Sequence, residues 1–97
     1  MSYNLVFSKK IELDLQDIAF YIAQDNPVRA ITFVDELISY FHEILKYFPF
    51  SGKKVKGKIR RLTYKRYVIL YDVNEKKKLV TLLHIFAGGQ DWKSLYN

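Results

Sequence analysis

The sequence predicts an α+β domain in which two helices come before most of an antiparallel sheet. In the first half of the chain, apolar residues recur every three or four positions, which is the period of amphipathic helices. In the second half, short apolar runs rich in aromatic and β-branched residues are separated by turn residues, a pattern typical of strands. Helices and strands that are grouped in this way indicate that the helices pack on one face of the sheet.

A short strand and a first helix open the chain. Residues 3–7 are mostly aromatic and β-branched, so we expect a strand there, and Ser8 behind it is a suitable helix N-cap. Apolar residues then recur at helical spacing, which predicts a helix from about Lys9 to Gln24. The acidic side chains of this helix fall off the apolar stripe, with Asp14 at its edge, and we expect them to form a solvated face.

The second helix has sequence signals at both of its ends. Asn26 is a suitable N-cap, and Pro27 fits the first helical position because a missing N–H costs nothing there. The apolar stripe continues to about Tyr47, and Pro49 then ends the helix, since the residue before a proline leaves the helical region. Only two or three residues separate the helices, so we expect an antiparallel helical hairpin.

Three strands are predicted after the helices, at residues 58–64, 66–73 and 79–86. Turn residues separate them, so we expect a three-stranded antiparallel meander. The last run is almost entirely apolar, which predicts a central strand covered on both faces. We interpret residues 51–58 as a loop, Gly88 and Gly89 as a turn, and residues 90–96 as one or two helical turns. The predicted order is β-α-α-β-β-β with a short C-terminal helical tail, in one domain of residues 1–97.

Charge is distributed unevenly along the chain. Residues 1–50 carry four Lys/Arg and seven Asp/Glu, a net charge of −3, whereas residues 51–97 carry twelve and three, a net charge of +9. Half of all Lys and Arg residues lie between Ser51 and Arg66, where there is no acidic residue. Such a concentration of charge attracts anionic partners, for example nucleic acid or an acidic protein segment, although a solubilising loop has the same composition.

The composition excludes several classes of site. The chain has no cysteine, which excludes disulfides, thiol catalysis and thiolate metal sites. No apolar run is long enough to span a membrane and the N-terminus has no signal-peptide core, so we expect a cytoplasmic protein without a membrane partner. His42 and His84 have no second ligand at metal-binding spacing, so we expect no metal and no other cofactor. His84 lies in the apolar last strand and is interpreted as a hydrogen-bonded core residue.

An ordered set of short motifs runs along the whole chain. Its members are Asp17 to Ala23, Asn26-Pro27 with Ala30 and Phe33-Val34, Leu45 with Phe48-Pro49 and Gly52, Ile59 to Leu62, Tyr67 to Val73, and Gly88 with Asp91 and Trp92. Together they resemble the RelE/ParE superfamily of toxins from type II toxin–antitoxin pairs. The resemblance implies one of two activities. One branch contains ribosome-dependent mRNA endonucleases, and the other, ParE-like branch is associated with inhibition of DNA gyrase.

Two positions favour the ParE-like branch. The nuclease branch tends to have Arg directly after the strand tyrosine, whereas this chain has Val68 after Tyr67. The nuclease branch and many ParE-type chains have a basic residue just after the last strand, whereas this chain has Gln90 there. A neutral glutamine cannot stabilise the charge on a pentavalent phosphate as arginine can. We therefore expect a toxin that inhibits an essential target such as DNA gyrase by binding, with an mRNA endoribonuclease that acts on the ribosome as the alternative.

The resemblance also implies a partner. We expect a cognate antitoxin that is acidic in its C-terminal half, and a hetero-oligomer of toxin and antitoxin. The residues predicted to bind the target or the antitoxin are Lys53, Lys54, Lys56, Lys58, Arg60, Arg61, Tyr67, Tyr71 and Trp92. Core packing explains Tyr67 and Tyr71 equally well and is the preferred interpretation of Trp92, and a charged sheet edge explains the basic residues.

A nuclease would need a different set of residues from the same region. The resemblance implies Lys54, Lys58 and either Arg60 or Arg61 for electrostatic stabilisation, with Tyr64 or Tyr96 as a proton donor. Arg60 and Arg61 are neighbours on a predicted strand, so their side chains point to opposite faces and only one of them can join a given site.

Overall fold

The computed structural model describes residues 2–88, which form a five-stranded sheet and two helices. The elements are β1 (Asn4–Phe7), α1 (Lys9–Ala23), α2 (Pro27–Tyr47), β2 (Lys53–Lys56), β3 (Ile59–Tyr64), β4 (Tyr67–Asn74) and β5 (Leu79–Ala87). The strand order in the sheet is β1-β5-β4-β3-β2, with β1 parallel to β5 and every other pair antiparallel. The predicted α+β class is confirmed. The predicted helical tail and residues Gln90, Asp91, Trp92 and Tyr96 lie outside the described residues.

Both helices begin at the caps that the sequence predicts. The Ser8 hydroxyl accepts a hydrogen bond from the Ile11 N–H at 3.1 Å, and the Asn26 side chain accepts one from the Arg29 N–H at 3.0 Å. Each of these bonds satisfies a backbone donor that the first helical turn leaves without a partner. The helix boundaries are therefore encoded locally, and they agree with the prediction to within one residue.

The region 51–58 differs from its prediction as a loop. Lys53–Lys56 forms the edge strand β2, which pairs with β3 through Lys53 opposite Arg61 and Lys54 opposite Arg60. Gly57 has a φ of 57°, a left-handed conformation that glycine adopts without strain, and it closes the β2–β3 hairpin. The antiparallel part of the sheet thus has four strands rather than three. A lysine-rich sequence is typical of an edge strand because charge there opposes pairing with another chain.

The core lies between the helices and one face of the sheet. Alternate residues of β4 point toward the helices, and Tyr71 at the centre of this row is fully buried. Leu37 and Phe41 of α2 belong to the same buried cluster. The predicted central position of the last strand is confirmed, since β5 lies between β1 and β4. We call this the helix side of the sheet and the opposite face the outer face.

One edge of β5 is covered by α1 instead of by a strand. The pairing between β1 and β5 ends with Phe7 opposite Leu82. Beyond that point the Asp14 carboxylate accepts the Ile85 N–H at 3.0 Å and is 4% exposed. The prediction of a solvated acidic face on the first helix is therefore wrong for Asp14. The prediction for His84 as a hydrogen-bonded, partly buried residue is confirmed, because its Nδ1 donates to the same carboxylate.

Candidate functional site

The basic residues of β2 and β3 are divided between the two faces of the sheet. Lys54 lies opposite Arg60, which lies opposite Tyr71, so these cations are on the helix side. Arg61 lies opposite Leu70 and is on the outer face. The prediction that the side chains of Arg60 and Arg61 point to opposite faces of the sheet is confirmed. The basic stretch is therefore not a single surface.

Arg60 is held in place by the loop that precedes β2. Its guanidinium donates to the Phe50 carbonyl at 3.2 Å and to the Gly52 carbonyl at 2.8 Å. It also lies 5.0 Å from the centre of the Phe50 ring, which is within the range of a cation–π contact. These contacts fix the guanidinium beside the loop, so Arg60 has a structural role as well as a charge to offer to a partner.

A cleft of about 470 Å³ lies beside Arg60 at one end of the sheet, where the β2–β3 and β4–β5 turns meet. We call it the basic cleft. Its lining residues are Phe50, Lys54, Gly57, Lys58, Arg60, Val73, Asn74, Glu75 and Lys76. Four of these are cations and one is an acid. The fold thus brings Lys76, which the sequence did not single out, next to three of the predicted site residues.

The outer face has an apolar cluster at its centre. Val68, Leu70 and Phe86 are 6%, 0% and 5% exposed, and Val55 and Ile59 pack against them. Val68 therefore lies among apolar side chains at the position where the resemblance places an arginine in the nuclease branch. This cluster was not predicted, because its members come from strands far apart in the sequence.

The predicted catalytic residues do not converge on one point. Lys54, Lys58 and Arg60 line the basic cleft, but Arg61 is on the outer face. Tyr64 is four residues from Arg60 along β3, a separation of roughly 13 Å at the usual strand rise. Its ring packs 4.4 Å from that of Tyr40 in the helix layer. Tyr96, the other proposed proton donor, lies outside the described residues.

Tyr67 and Tyr71 are core residues. They are 6% and 0% exposed, which supports core packing over a docking face. The Tyr71 hydroxyl accepts the Gly52 N–H at 2.9 Å, and a Cβ at Gly52 would clash with both this hydroxyl and the Arg61 carbonyl. Burial raises the pKa of Tyr71, an effect that the hydrogen bond from Gly52 partly offsets. Tyr71 therefore anchors the start of β2 from inside the core.

The helical hairpin has an apolar groove on its surface that was not predicted as a site. Ala19, Phe20, Ala30 and Ile31 are among its lining residues, and the cavity measures about 570 Å³. Phe20 and Ile31 are 74% and 69% exposed. The available sequence signal was the position of these two large residues outside the apolar stripes that face the core. Exposed apolar surface of this kind marks interaction sites.

A further cavity of about 440 Å³ lies between α1 and β5. Its polar lining includes Lys10, Asp14, Asp17 and His84. Lys10 Nζ lies 2.8 Å from the Asp14 carboxylate, whose hydrogen bond raises the pKa of Lys10. Within residues 2–88, no group of three His, Cys, Asp or Glu side chains is placed to hold a metal ion. None of the helices in that range is long and apolar enough to cross a membrane.

A family model for the ParE toxin of the type II toxin–antitoxin system parDE matches residues 5–92. The chain belongs to the ParE toxin family. The resemblance stated from the sequence is thereby confirmed. The members that this ParE family model describes are toxins of a type II toxin–antitoxin system. A search of curated proteins found no significant match.

Solved structures from three different organisms are among those that share the fold of this ParE-family toxin. A chain of the chromosomal ParDE system from P. aeruginosa has a TM-score of 0.75 and 19% identity, over 90% of this chain and 97% of that one. A chain of the RelBE2 complex from Mycobacterium tuberculosis has a TM-score of 0.72 and 16% identity, over 90% of this chain and 92% of that one. A chain of the RelE–RelB complex from Pyrococcus horikoshii OT3 has a TM-score of 0.60 and 21% identity, over 93% of this chain and 99% of that one. At these identities the similarity is one of fold.

Proposed function

We propose that this ParE-family toxin inhibits its target by binding, and that the target is DNA gyrase. The outer face of the sheet carries the proposal. Val68 lies against Leu70 and Phe86 in an apolar cluster, at the position where the nuclease branch tends to have an arginine. RNA cleavage needs preorganised donors around the transferring phosphate, and the buried Val68 side chain supplies none at this position.

The separation of the predicted catalytic residues supports the same proposal. General acid–base catalysis requires groups within hydrogen-bonding reach of one reacting centre. Arg60 and Arg61 are on opposite faces, and Tyr64 packs against Tyr40 under the helices. Lys54, Lys58 and Arg60 share the basic cleft, but Tyr64 cannot reach a phosphate bound there without a rearrangement of the sheet, whereas an inhibitor that only binds needs no proton donor.

A ribosome-dependent mRNA endoribonuclease is the second candidate, and one observation favours it. Lys54, Lys58 and Arg60 share the basic cleft with Lys76, so their mutual repulsion favours an anionic ligand such as a phosphate. Among residues 2–88, no other feature of the basic cleft favours catalysis.

We propose that a cognate antitoxin neutralises this chain as a hetero-oligomer in the cytoplasm. The similar solved structures support a partner of this kind, since they come from toxin–antitoxin systems. The basic residues of β2, β3 and the turn between them would contact the target or an acidic segment of the antitoxin. They include Lys53, Lys56 and Arg61 as well as the cations of the basic cleft. The groove beside Phe20 and Ile31 would accept the apolar face of an amphipathic segment.

Induced expression tests the toxin assignment. We expect expression of this chain alone to slow bacterial growth, and co-expression of the protein encoded by the adjacent reading frame to restore it. Leu37→Asp, which places a charge at a fully buried position, is the matched control because it prevents folding without changing the expression conditions. Normal growth at a verified high level of soluble wild-type protein would contradict the proposal.

A further inference from the structure

Two aromatic rings lie in contact between two cations at the end of the molecule that contains the basic cleft. Lys78 Nζ lies 5.2 Å from the centre of the Tyr3 ring, and Tyr3 meets Phe50 edge to face at 6.5 Å. The Arg60 guanidinium lies 5.0 Å from the centre of the Phe50 ring. These residues come from β3, the N-terminus, the loop after α2 and the β4–β5 turn, so only the fold brings them together. Phe50 remains 44% exposed.

The charge of the cleft is not neutralised within the described part of the chain. Lys54, Lys58 and Lys76 are exposed, and none of them forms an ion pair with a carboxylate of residues 2–88. The single acid among the lining residues is Glu75. Closely spaced cations repel one another, so a bound anion would relieve an unfavourable interaction that the free protein carries.

The shape of the cleft sets a second requirement for its ligand. A volume of about 470 Å³ is within the range of sites that hold one small-molecule group. Phe50 lines the cleft and favours an apolar, planar group in the ligand. The three lysines that also line it favour a negative charge in the same ligand. A ligand that combines a planar apolar group with a nearby phosphate meets both conditions. Nucleotides have this combination, and proteins that bind single strands use it through aromatic stacking platforms beside basic grooves.

We propose that the basic cleft binds single-stranded nucleic acid, with phosphates against Lys54, Lys58 and Lys76 and one unpaired base against Phe50. An acidic protein segment would satisfy the lysines but offers a planar group only where it has an aromatic residue, whereas every nucleotide has one. Duplex nucleic acid would also satisfy the lysines, but its bases are stacked within the helix. The inference goes beyond the proposed function, because binding is a property of the isolated chain and requires neither an antitoxin nor gyrase.

Fluorescence anisotropy of the purified full chain tests this inference. The probes are 5′-labelled 12-nucleotide single strands of mixed sequence, as DNA and as RNA, together with the DNA duplex of the same sequence. We expect both single strands to bind more tightly than the duplex. Binding should weaken as salt is raised, with a log–log slope that increases by about 0.7 for each phosphate contact.

A pair of charge-matched double variants locates the site. Lys58→Glu with Lys76→Glu reverses two cations of the cleft, and Lys9→Glu with Lys65→Glu reverses two exposed cations elsewhere. Both pairs change the net charge equally. We expect the cleft pair to weaken single-strand binding by about 10-fold or more and to lower the salt slope by about 1.4, since two phosphate contacts are lost. The control pair should stay within about 3-fold of wild type.

Phe50 variants test whether an unpaired nucleobase stacks on this side chain. Phe50→Leu keeps apolar bulk beside Tyr3 but removes the stacking surface, and we expect single-strand binding to fall by about 5-fold or more. Phe50→Trp should retain or improve binding because it restores a planar ring. Circular dichroism of each variant shows that the fold is intact.

Several results would overturn the inference. Equal losses in the two double variants would mean that the chain binds as a diffuse polycation. Equal binding of duplex and single strand, or no effect of Phe50→Leu, would show that no unpaired base stacks on Phe50. A mononucleotide that binds as tightly as the 12-mer would make the cleft a nucleotide site. Binding of a labelled polyglutamate peptide but of neither oligonucleotide would assign the cleft to an acidic protein segment.

Discussion

Asp14 in α1 and His84 in β5 are 70 positions apart in the sequence and are joined by a hydrogen bond from the imidazole Nδ1 to the carboxylate. The same carboxylate oxygen accepts the Ile85 N–H, and the other oxygen pairs with Lys10. Asp14 thus takes the place of a neighbouring strand where β1 has ended. This one side chain ties the helical hairpin to the unpaired edge of the sheet.

Replacement of Asp14 should therefore destabilise the fold. Asp14→Ala leaves the buried Ile85 N–H without an acceptor, and we expect the free energy of unfolding to fall by about 1–3 kcal/mol. Asp14→Asn keeps one acceptor oxygen and should lose less. Asp17→Ala, at an exposed position of the same helix, is the control and should stay within about 0.5 kcal/mol of wild type. Urea unfolding measures all three, and similar values for Asp14→Ala and Asp17→Ala would contradict the assigned role.

Tyr71 provides a prediction about pH. Burial raises the pKa of its hydroxyl above the ordinary value of 10.0. The folded state therefore holds the proton more tightly than the unfolded state, so the contribution to stability is complete below pH 10 and is lost as pH rises through the folded pKa. We expect the stability of the wild type to decline more steeply above pH 10 than that of Tyr71→Phe.

The same Tyr71→Phe variant should also be less stable at neutral pH. It removes the acceptor of the buried Gly52 N–H, which costs about 1–3 kcal/mol when no other partner replaces it. Tyr21→Phe removes an exposed hydroxyl and serves as the control. Denaturation at pH 7 and at several values above 10 gives both comparisons. A parallel decline of the wild type and Tyr71→Phe above pH 10 would show that Tyr71 does not titrate with folding.

The basic residues of β2 should matter more for toxicity than for folding. Their side chains are exposed, so Lys53→Ala and Lys56→Ala should each change the free energy of unfolding by no more than about 0.5 kcal/mol. Arg60→Ala should cost more stability, because its guanidinium holds the carbonyls of Phe50 and Gly52. Growth assays of the Lys53→Ala and Lys56→Ala double variant should show reduced toxicity.

A double variant that removes two exposed charges elsewhere controls for the change in net charge. Lys9→Ala with Lys65→Ala leaves the residues of β2 and β3 intact and should retain full toxicity. The assignment of β2 to the surface that binds the target fails if the Lys53→Ala and Lys56→Ala variant is folded and as toxic as wild type.

Local signals made much of the fold predictable. Ser8 and Asn26 cap the helices by bonds within three residues, and Pro49 ends α2 through a restriction on its immediate neighbour. Such interactions are visible in sequence because they involve adjacent residues. The apolar run of β4 is visible for the same reason, and Tyr67 to Tyr71 are all buried.

The features that the sequence did not reveal depend on distant contacts. Lys53–Lys56 has no apolar alternation, and it becomes a strand through backbone pairing with β3. The burial of Asp14 depends on how far β1 extends along β5, which no local pattern determines. Likewise, the basic cleft needed Lys76 from the β4–β5 turn beside Arg60 from β3. The charge of the region could be predicted, but its division between two faces and one cleft could not.

The most direct test of the central claim compares gyrase inhibition with mRNA cleavage by the same purified chain. We expect inhibition of DNA supercoiling, or trapped cleavage complexes, in a gyrase assay, and intact message in a purified translation system with and without ribosomes. The apolar surroundings of Val68 and the separation of Arg61 from the basic cleft are the physical reasons. Codon-phased cuts in ribosome-bound message that Arg61→Ala abolishes, together with unaffected supercoiling, would contradict the account and identify a ribonuclease.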